Sequence, residues 1–204
     1  RTEELLSAND EMSAMNHALI QARDEIWGEM ELAKKIQTVL LPANPRVSGY
    51  EISTYMKPAQ EVGGDYYDII NIKGCDWLVI GDVSGHGVPA GLIMMMVQTS
   101  IHSVLVVQPD TSPSELLVQV NRIISENIKK LGEEKYMTIT VMACIQDGRF
   151  YYSGLHQDLM IYRARSGNVE VFETDGMWLG IYSNIRGMVG DSTLTLDVGD
   201  TLLL

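Results

Sequence analysis

Residues 61–91 read EVGGDYYDIINIKGCDWLVIGDVSGHGVPAG. The stretch places Asp65 and Asp82 at the mouths of two predicted strands, with glycines beside both carboxylates. Glycine lets a backbone approach a ligand closely and take φ > 0. Hard divalent cations such as Mg²⁺ and Mn²⁺ take oxygen ligands of this kind. Taken singly, aspartates beside glycines are also ordinary turn and cap residues.

Working outward, period-two alternation predicts strands at Tyr50–Pro58, Asp65–Lys73 and Asp76–Val83, with Lys73-Gly74 as a turn. Pro89 opens a helix as a first-turn proline, running to about Val106. Its segment VPAGLIMMMVQTSIHSVLVV, residues 88–107, is long enough to raise a membrane span. Gln98, Thr99, Ser100, His102 and Ser103 interrupt the apolar run, so a core helix is expected, with Met94, Met95 and Met96 as adaptable packing. Ser112 is the expected N-cap of a second helix reaching about Leu131. Strands follow at Met137–Gln146 and Arg149–Leu155, joined by the hairpin signal Asp147-Gly148, then at Leu159–Arg163, Val169–Glu173, Met188–Leu196 and Asp200–Leu204. Strands, then two helices, then more strands argue for an α+β fold rather than a parallel α/β sheet.

Upstream, residues 3–41 predict one long helix that Pro42 and Pro45 end. Leu5, Met12, Leu19, Ile26, Ala33 and Leu40 recur at heptad spacing, and Ala8, Met15, Ala22 and Ile36 fill the second seam position. That pattern predicts a parallel two-stranded coiled coil over residues 3–28, hence a homodimer. The alternative is a single amphipathic helix lying on the domain, because Ala8 and Ala22 are small for a seam. The chain then divides into a coiled-coil or linker helix, residues 1–41, and a domain, residues 42–204. The helix beyond Ile26 is expected to pack on its own domain.

Composition narrows the function. The 204-residue chain is 46% hydrophobic and 21% charged, as a globular domain should be. A net charge of −12 argues against nucleic acid and anionic membranes as partners, since both need a basic face. Cys75 and Cys144 show no CxxC spacing, which argues against a structural zinc and for a reducing cytoplasmic setting. The glycine loop lacks the lysine of a nucleotide-binding P-loop.

The runs GGDYYD (63–68) and GDVSGHGVPA (81–90), in this order and a strand apart, resemble the SpoIIE/RsbU-like branch of the bacterial PPM-type (metal-dependent) protein serine/threonine phosphatases. The resemblance runs from about Glu31 to the last residue, and MELAKKIQTVLLP (30–42) is similar to the linker before that family's core. It implies two sheets packed face to face with helices outside. It also implies a binuclear Mn²⁺ or Mg²⁺ centre held by Asp65, Asp82 and the backbone carbonyl of Val83. The implied chemistry is attack of a metal-activated water on phosphoserine or phosphothreonine, without a covalent enzyme intermediate.

Other polar residues divide by position. Asp68 should face the opposite side of the pleat from Asp65 and be structural. His86, between Gly85 and Gly87, is a candidate general acid for the leaving serine oxygen; the alternative is a histidine that holds the loop's shape. His156 matches the histidine of the family's asparagine-alanine-glycine-histidine run while its neighbours depart, and a buried structural role is expected. His17 and His102 carry no motif.

The family continues beyond a strand like GDTLLL with further metal-ligating aspartates, whereas this chain stops at Leu204. A C-terminally truncated domain, with weak metal binding and little activity in this fragment, is therefore expected. Two classes of function follow. One is a phosphatase output domain of a bacterial signalling protein below an upstream sensor, cytoplasmic or the cytoplasmic part of a membrane-anchored sensor. By analogy its substrate is a small anti-anti-sigma-type (STAS) phosphoprotein. The other is a non-catalytic phosphatase-like module that dimerises and binds a partner.

Overall fold

The computed structural model describes residues 2–42, 44–56, 62–132, 134–146 and 148–204. A helix α1 (Thr2–Leu40) leads to the hairpin β1 (Asp65–Ile72) and β2 (Cys75–Val83). Helices α2 (Val88–Val107) and α3 (Pro113–Leu131) follow, then β3 (Met137–Gln146), β4 (Arg149–Leu155), β5 (Leu159–Arg163), β6 (Asn168–Phe172), β7 (Ser192–Thr195) and β8 (Thr201–Leu203). Among the described residues the named strands all pair antiparallel. One sheet has the order β1-β2-β3-β4-β7 and the other β6-β5-β8.

Two apolar layers make the expected sandwich. On one face of the large sheet, Tyr66, Ile70, Trp77, Val79 and Val83 pack with Ile93, Met94, Val97, Ile101 and Leu105 of α2 and Leu116, Leu117, Val120 and Ile124 of α3. The membrane-length segment is therefore the core helix of the domain. On the other face, Met142, Phe150, Tyr152 and Leu194 meet Leu159 and Ile161 of the small sheet. Burial of each such side chain stabilises the fold by about 1.5–3 kcal/mol. Cys75 packs with the helix-side layer and Cys144 with the inter-sheet layer, and both are free thiols.

The helix starts fit their residues. Ser112 Oγ accepts from the Glu115 amide, Pro113 occupies the first turn, and α3 ends on Gly132 in the left-handed region. The turn between β1 and β2 has Lys73 at φ 49 and Gly74 at φ 83, the two-residue primed geometry that matches strand twist.

Two expectations are corrected. Residues 51–56 of the expected strand Tyr50–Pro58 form no strand, and residues 57 and 58 lie outside the described residues. Tyr50 instead packs edge-on against Phe150 at 5.6 Å, and Asp76 Oδ2 accepts from the Ser48 amide at 3.3 Å. Of residues 51–56 only Ile52 and Met56 are partly buried, and Tyr55 is exposed, so the alternation marks neither a paired backbone nor a buried face. The expected strand Met188–Leu196 shortens to Ser192–Thr195, since β7 has β4 as its partner only over Arg149–Tyr152. Asp147 of the predicted hairpin lies outside the described residues.

Helix α1 is continuous through Gly28. Leu5, Met12, Met15, Leu19 and Ile26 are exposed in the single chain. Near its C-terminal end it packs on α2. There the buried residue is Gln37, while Ile36 is exposed.

Candidate metal and phosphoryl-transfer site

The β1–β2 register sets Asp65 directly opposite Asp82. On β1 the helix-facing residues are Tyr66, Asp68 and Ile70, and on β2 they are Trp77, Val79 and Val83. Asp65 and Asp82 therefore lie on the other face, at one end of the sandwich, and both are exposed. Directly opposite Asp82 on β3 is Thr138. One place beyond the last β3–β4 pair, Ile139 with Leu155, the chain reaches His156, where it crosses to the small sheet.

Gly64 keeps this end open. A β-carbon there would stand 2.6 Å from the Val83 carbonyl oxygen and 2.9 Å from Asp82 Oδ1. The expected oxygen donors Asp82 and Val83 thus face one small space that only glycine leaves vacant. The Val83 amide donates to the Gly64 carbonyl at 3.2 Å, which locks the two segments together. Burial, then the Asp65 charge, raise the Asp82 pKa, partly offset by a hydrogen bond from the Val83 amide. Two carboxylates that repel one another, with a carbonyl beside them, suit a hard divalent cation. Among the described residues no third His, Cys, Asp or Glu joins them in a metal-binding group. Asp65, Asp82 and the Val83 carbonyl therefore fit part of a shell whose other positions water can fill.

Thr138 Oγ1 donates to the Asp82 carbonyl at 3.2 Å and lies 2.8 Å from His156 Nδ1. A hydroxyl has one proton. With that proton on the Asp82 carbonyl, His156 Nδ1 must be the donor to Thr138, leaving Nε2 as the basic nitrogen. Burial lowers the His156 pKa, against an opposing pull from Asp65. His156, expected to be buried and structural, is half-buried and close enough to Asp65 to feel its charge.

His86 is exposed in the loop that follows Val83. Asp68 lies on the helix side, as expected, where its carboxylate accepts from the Tyr66 hydroxyl at 3.0 Å and pairs with His102 Nε2 at 2.9 Å. His102, which carried no motif, is thus the partner of a buried acid. Burial, then the Asp68 carboxylate, push the Tyr66 hydroxyl pKa well up.

The linker helix reaches the site through one side chain. Gln37 Nε2 donates to the Gly63 carbonyl at 2.7 Å, and the Gly63 amide donates to Gln37 Oε1 at 3.2 Å. Gly63 lies two residues before Asp65. A lone glutamine within a heptad pattern gave no signal of this pairing.

Comparison with known proteins agrees with the fold and the motifs. The model of the family described as stage II sporulation protein E (SpoIIE) matches residues 73–204. The phosphoserine phosphatase RsbU of Bacillus subtilis (strain 168) is 28% identical over 201 residues, 95% of this chain and 57% of RsbU, so the chain spans little more than half of that relative. The SiaA-PP2C domain of Pseudomonas aeruginosa superimposes with a TM-score of 0.70 at 19% identity, covering 89% of this chain and 71% of that one. The PP2C phosphatase domain of SpoIIE from Bacillus subtilis, solved with a fragment of its regulatory domain, gives a TM-score of 0.53 at 19% identity, covering 69% and 40%. With the family model covering most of the chain and the two motifs placed at one end of its sandwich, this chain belongs to the SpoIIE family.

Proposed function

We infer that this chain is the catalytic domain of a metal-dependent protein serine/threonine phosphatase in a bacterial signalling protein. The observation that carries the reading is the opposition of Asp65 and Asp82 across β1 and β2, with the Val83 carbonyl beside them in the space left by Gly64. Asp65, Asp82 and the Val83 carbonyl would hold Mn²⁺ or Mg²⁺. Such ions, when bound as a pair, supply a water made nucleophilic at neutral pH and neutralise charge on the phosphoryl oxygens.

The chain's own residues do the rest. Asp65 and Asp82 sit on paired strands, so their backbones are set opposite one another before substrate arrives. Thr138 holds the Asp82 backbone and orients His156. His86, exposed in the adjoining loop, would protonate the departing serine oxygen. The reading extends to a phosphoserine regulatory protein of the STAS type as substrate, to a cytoplasmic setting, and to a homodimer through α1, whose seam residues are exposed in the single chain.

The test is release of phosphate from a phosphoserine protein by the full-length protein with Mn²⁺. Activity lost on chelation, and reduced by 10²-fold or more in Asp82→Asn, is expected. An inactive wild-type protein that still dimerises and binds its partner would replace this reading with a non-catalytic binding module.

A further inference from the structure

We propose that Lys135, on the loop between α3 and β3, is a phosphoryl-binding residue that grips the non-bridging oxygens of the substrate's phosphoserine; this rests on the phosphatase reading above. The ammonium of Lys135 lies against Gly85, three residues past Asp82. A β-carbon at Gly85 would collide with its Nζ, and Gly85 has φ +82, which glycine adopts without strain. The Lys135 side chain therefore lies over the loop beside the carboxylates.

The lysine is held there from both sides. The Ser84 amide donates to the Tyr136 carbonyl at 2.8 Å, and the Tyr136 amide donates to Ser84 Oγ at 3.0 Å. The Tyr136 ring stacks on Trp178, centroids 4.6 Å apart and planes 13° off parallel. Met137 and Leu179 exchange two backbone hydrogen bonds of 3.0 and 2.9 Å, which fixes the segment carrying Trp178. Lys135 thus follows the metal loop as one unit.

Its charge is uncommitted. Lys135 is half-buried, and among the described residues no carboxylate forms an ion pair with it. The chain has 27 acidic and 15 basic residues, so a half-buried lysine without an acidic partner among the described residues is conspicuous. A phosphate oxygen would supply a counter-ion, and the ammonium binds it as a compact point charge with three donors. A cation on the rim also offsets the repulsion that Asp65 and Asp82 exert on an incoming phosphate dianion.

The experiment uses the full-length protein with Mn²⁺ and compares wild type with Lys135→Gln and Lys135→Arg. A group that binds the phosphoryl in the ground state acts on KM. Loss of one charge-assisted hydrogen bond in Lys135→Gln should raise KM for the phosphoserine protein by about tenfold to a hundredfold. Competitive inhibition by inorganic phosphate should weaken by a similar factor, and kcat should change less. Lys135→Arg should recover most of the loss. Calorimetric titration of inorganic phosphate into the Mn²⁺-loaded protein reads the same contact without turnover. Unchanged KM and phosphate affinity in Lys135→Gln would overturn the proposal, as would a fall in thermal stability with KM unchanged, which marks a packing role. An inactive wild type, with an Asp82→Asn variant that binds Mn²⁺ equally well, would instead remove the phosphatase reading and leave phosphate calorimetry to judge Lys135.

Discussion

Replacing Asp82 by Asn should stabilise the metal-free protein and abolish its stabilisation by Mn²⁺. Asp65 and Asp82 face one another across the β1–β2 ladder. Directly opposed side chains have β-carbons about 4.5–5.5 Å apart. Two unit charges at about 5 Å repel by roughly 0.8 kcal/mol in water and about 3 kcal/mol at an effective dielectric of 20. Both carboxylates are exposed, so solvent screening favours the lower end, about 1 kcal/mol. For a domain of this size that is a rise in Tm of about 2–4 °C. Asn is nearly isosteric with Asp and carries no charge.

The pH dependence has a definite sign. Burial and Asp65 raise the folded-state pKa of Asp82 above its unfolded value. Protonation therefore favours the folded state: that contribution is complete below the unfolded pKa of about 3.9 and is lost as pH rises through the folded pKa. The Asn advantage should appear above that window and vanish below it. Mn²⁺ reverses the order, because a ligand at a hundred times its Kd adds about 2.7 kcal/mol to whichever protein binds it. Differential scanning calorimetry in chelator and in Mn²⁺, at pH 7 and below pH 4, makes the comparison. A metal-free Asp82→Asn variant less stable than wild type at pH 7, or equal stabilisation of both by Mn²⁺, would refute the reasoning.

Three further outcomes follow from named contacts. Gln37→Leu leaves the Gly63 amide and carbonyl without their partner, a loss of about 1–3 kcal/mol in chemical denaturation; Mn²⁺ affinity should fall with it, and unchanged affinity would show that the helix does not support the Asp65 segment. Burial holds the His156 pKa below its usual value while Asp65 pulls it up. Asp65→Asn should therefore lower it further in an NMR titration, with the imidazole contributing stability above the unfolded pKa of about 6.5 and losing it as pH falls through the folded value. In analytical ultracentrifugation the wild type should sediment as a dimer and Leu19→Asp, at an exposed seam position of α1, as a monomer.

What could be read from the sequence was local or carried by motif. The turn at Lys73-Gly74, the Ser112 cap and the apolar alternation of β1 and β2 depend on neighbours within a few residues, and those elements form as expected. Period-two alternation does not by itself make a backbone pair, so residues 51–56, which alternate like a strand, form none. The remaining omissions are long-range polar partnerships. Gln37 with Gly63, His102 with Asp68, Thr138 with His156 and Lys135 with Gly85 are each separated by 18 or more residues, and periodicity carries no trace of them.

The opposition of the two aspartates nevertheless has a simple origin in the chain. A two-residue turn at Lys73-Gly74 forces Ile72 to pair with Cys75, and seven places outward on each strand it sets Asp65 against Asp82. A one-residue slip would put Asp65 opposite Gly81 and send one strand's apolar residues to the wrong face, so burial of Tyr66, Ile70, Trp77 and Val79 holds the register as firmly as the turn does. The β2–β3 register then brings Thr138 to the same end, and the β3–β4 register brings His156 one place beyond it. Antiparallel strands that start and stop together collect their terminal residues along one rim. The packed interior, far from any charge, is therefore what sets the spacing of the carboxylates, and the glycines at 64 and 85 leave that rim open to a ligand and to Lys135.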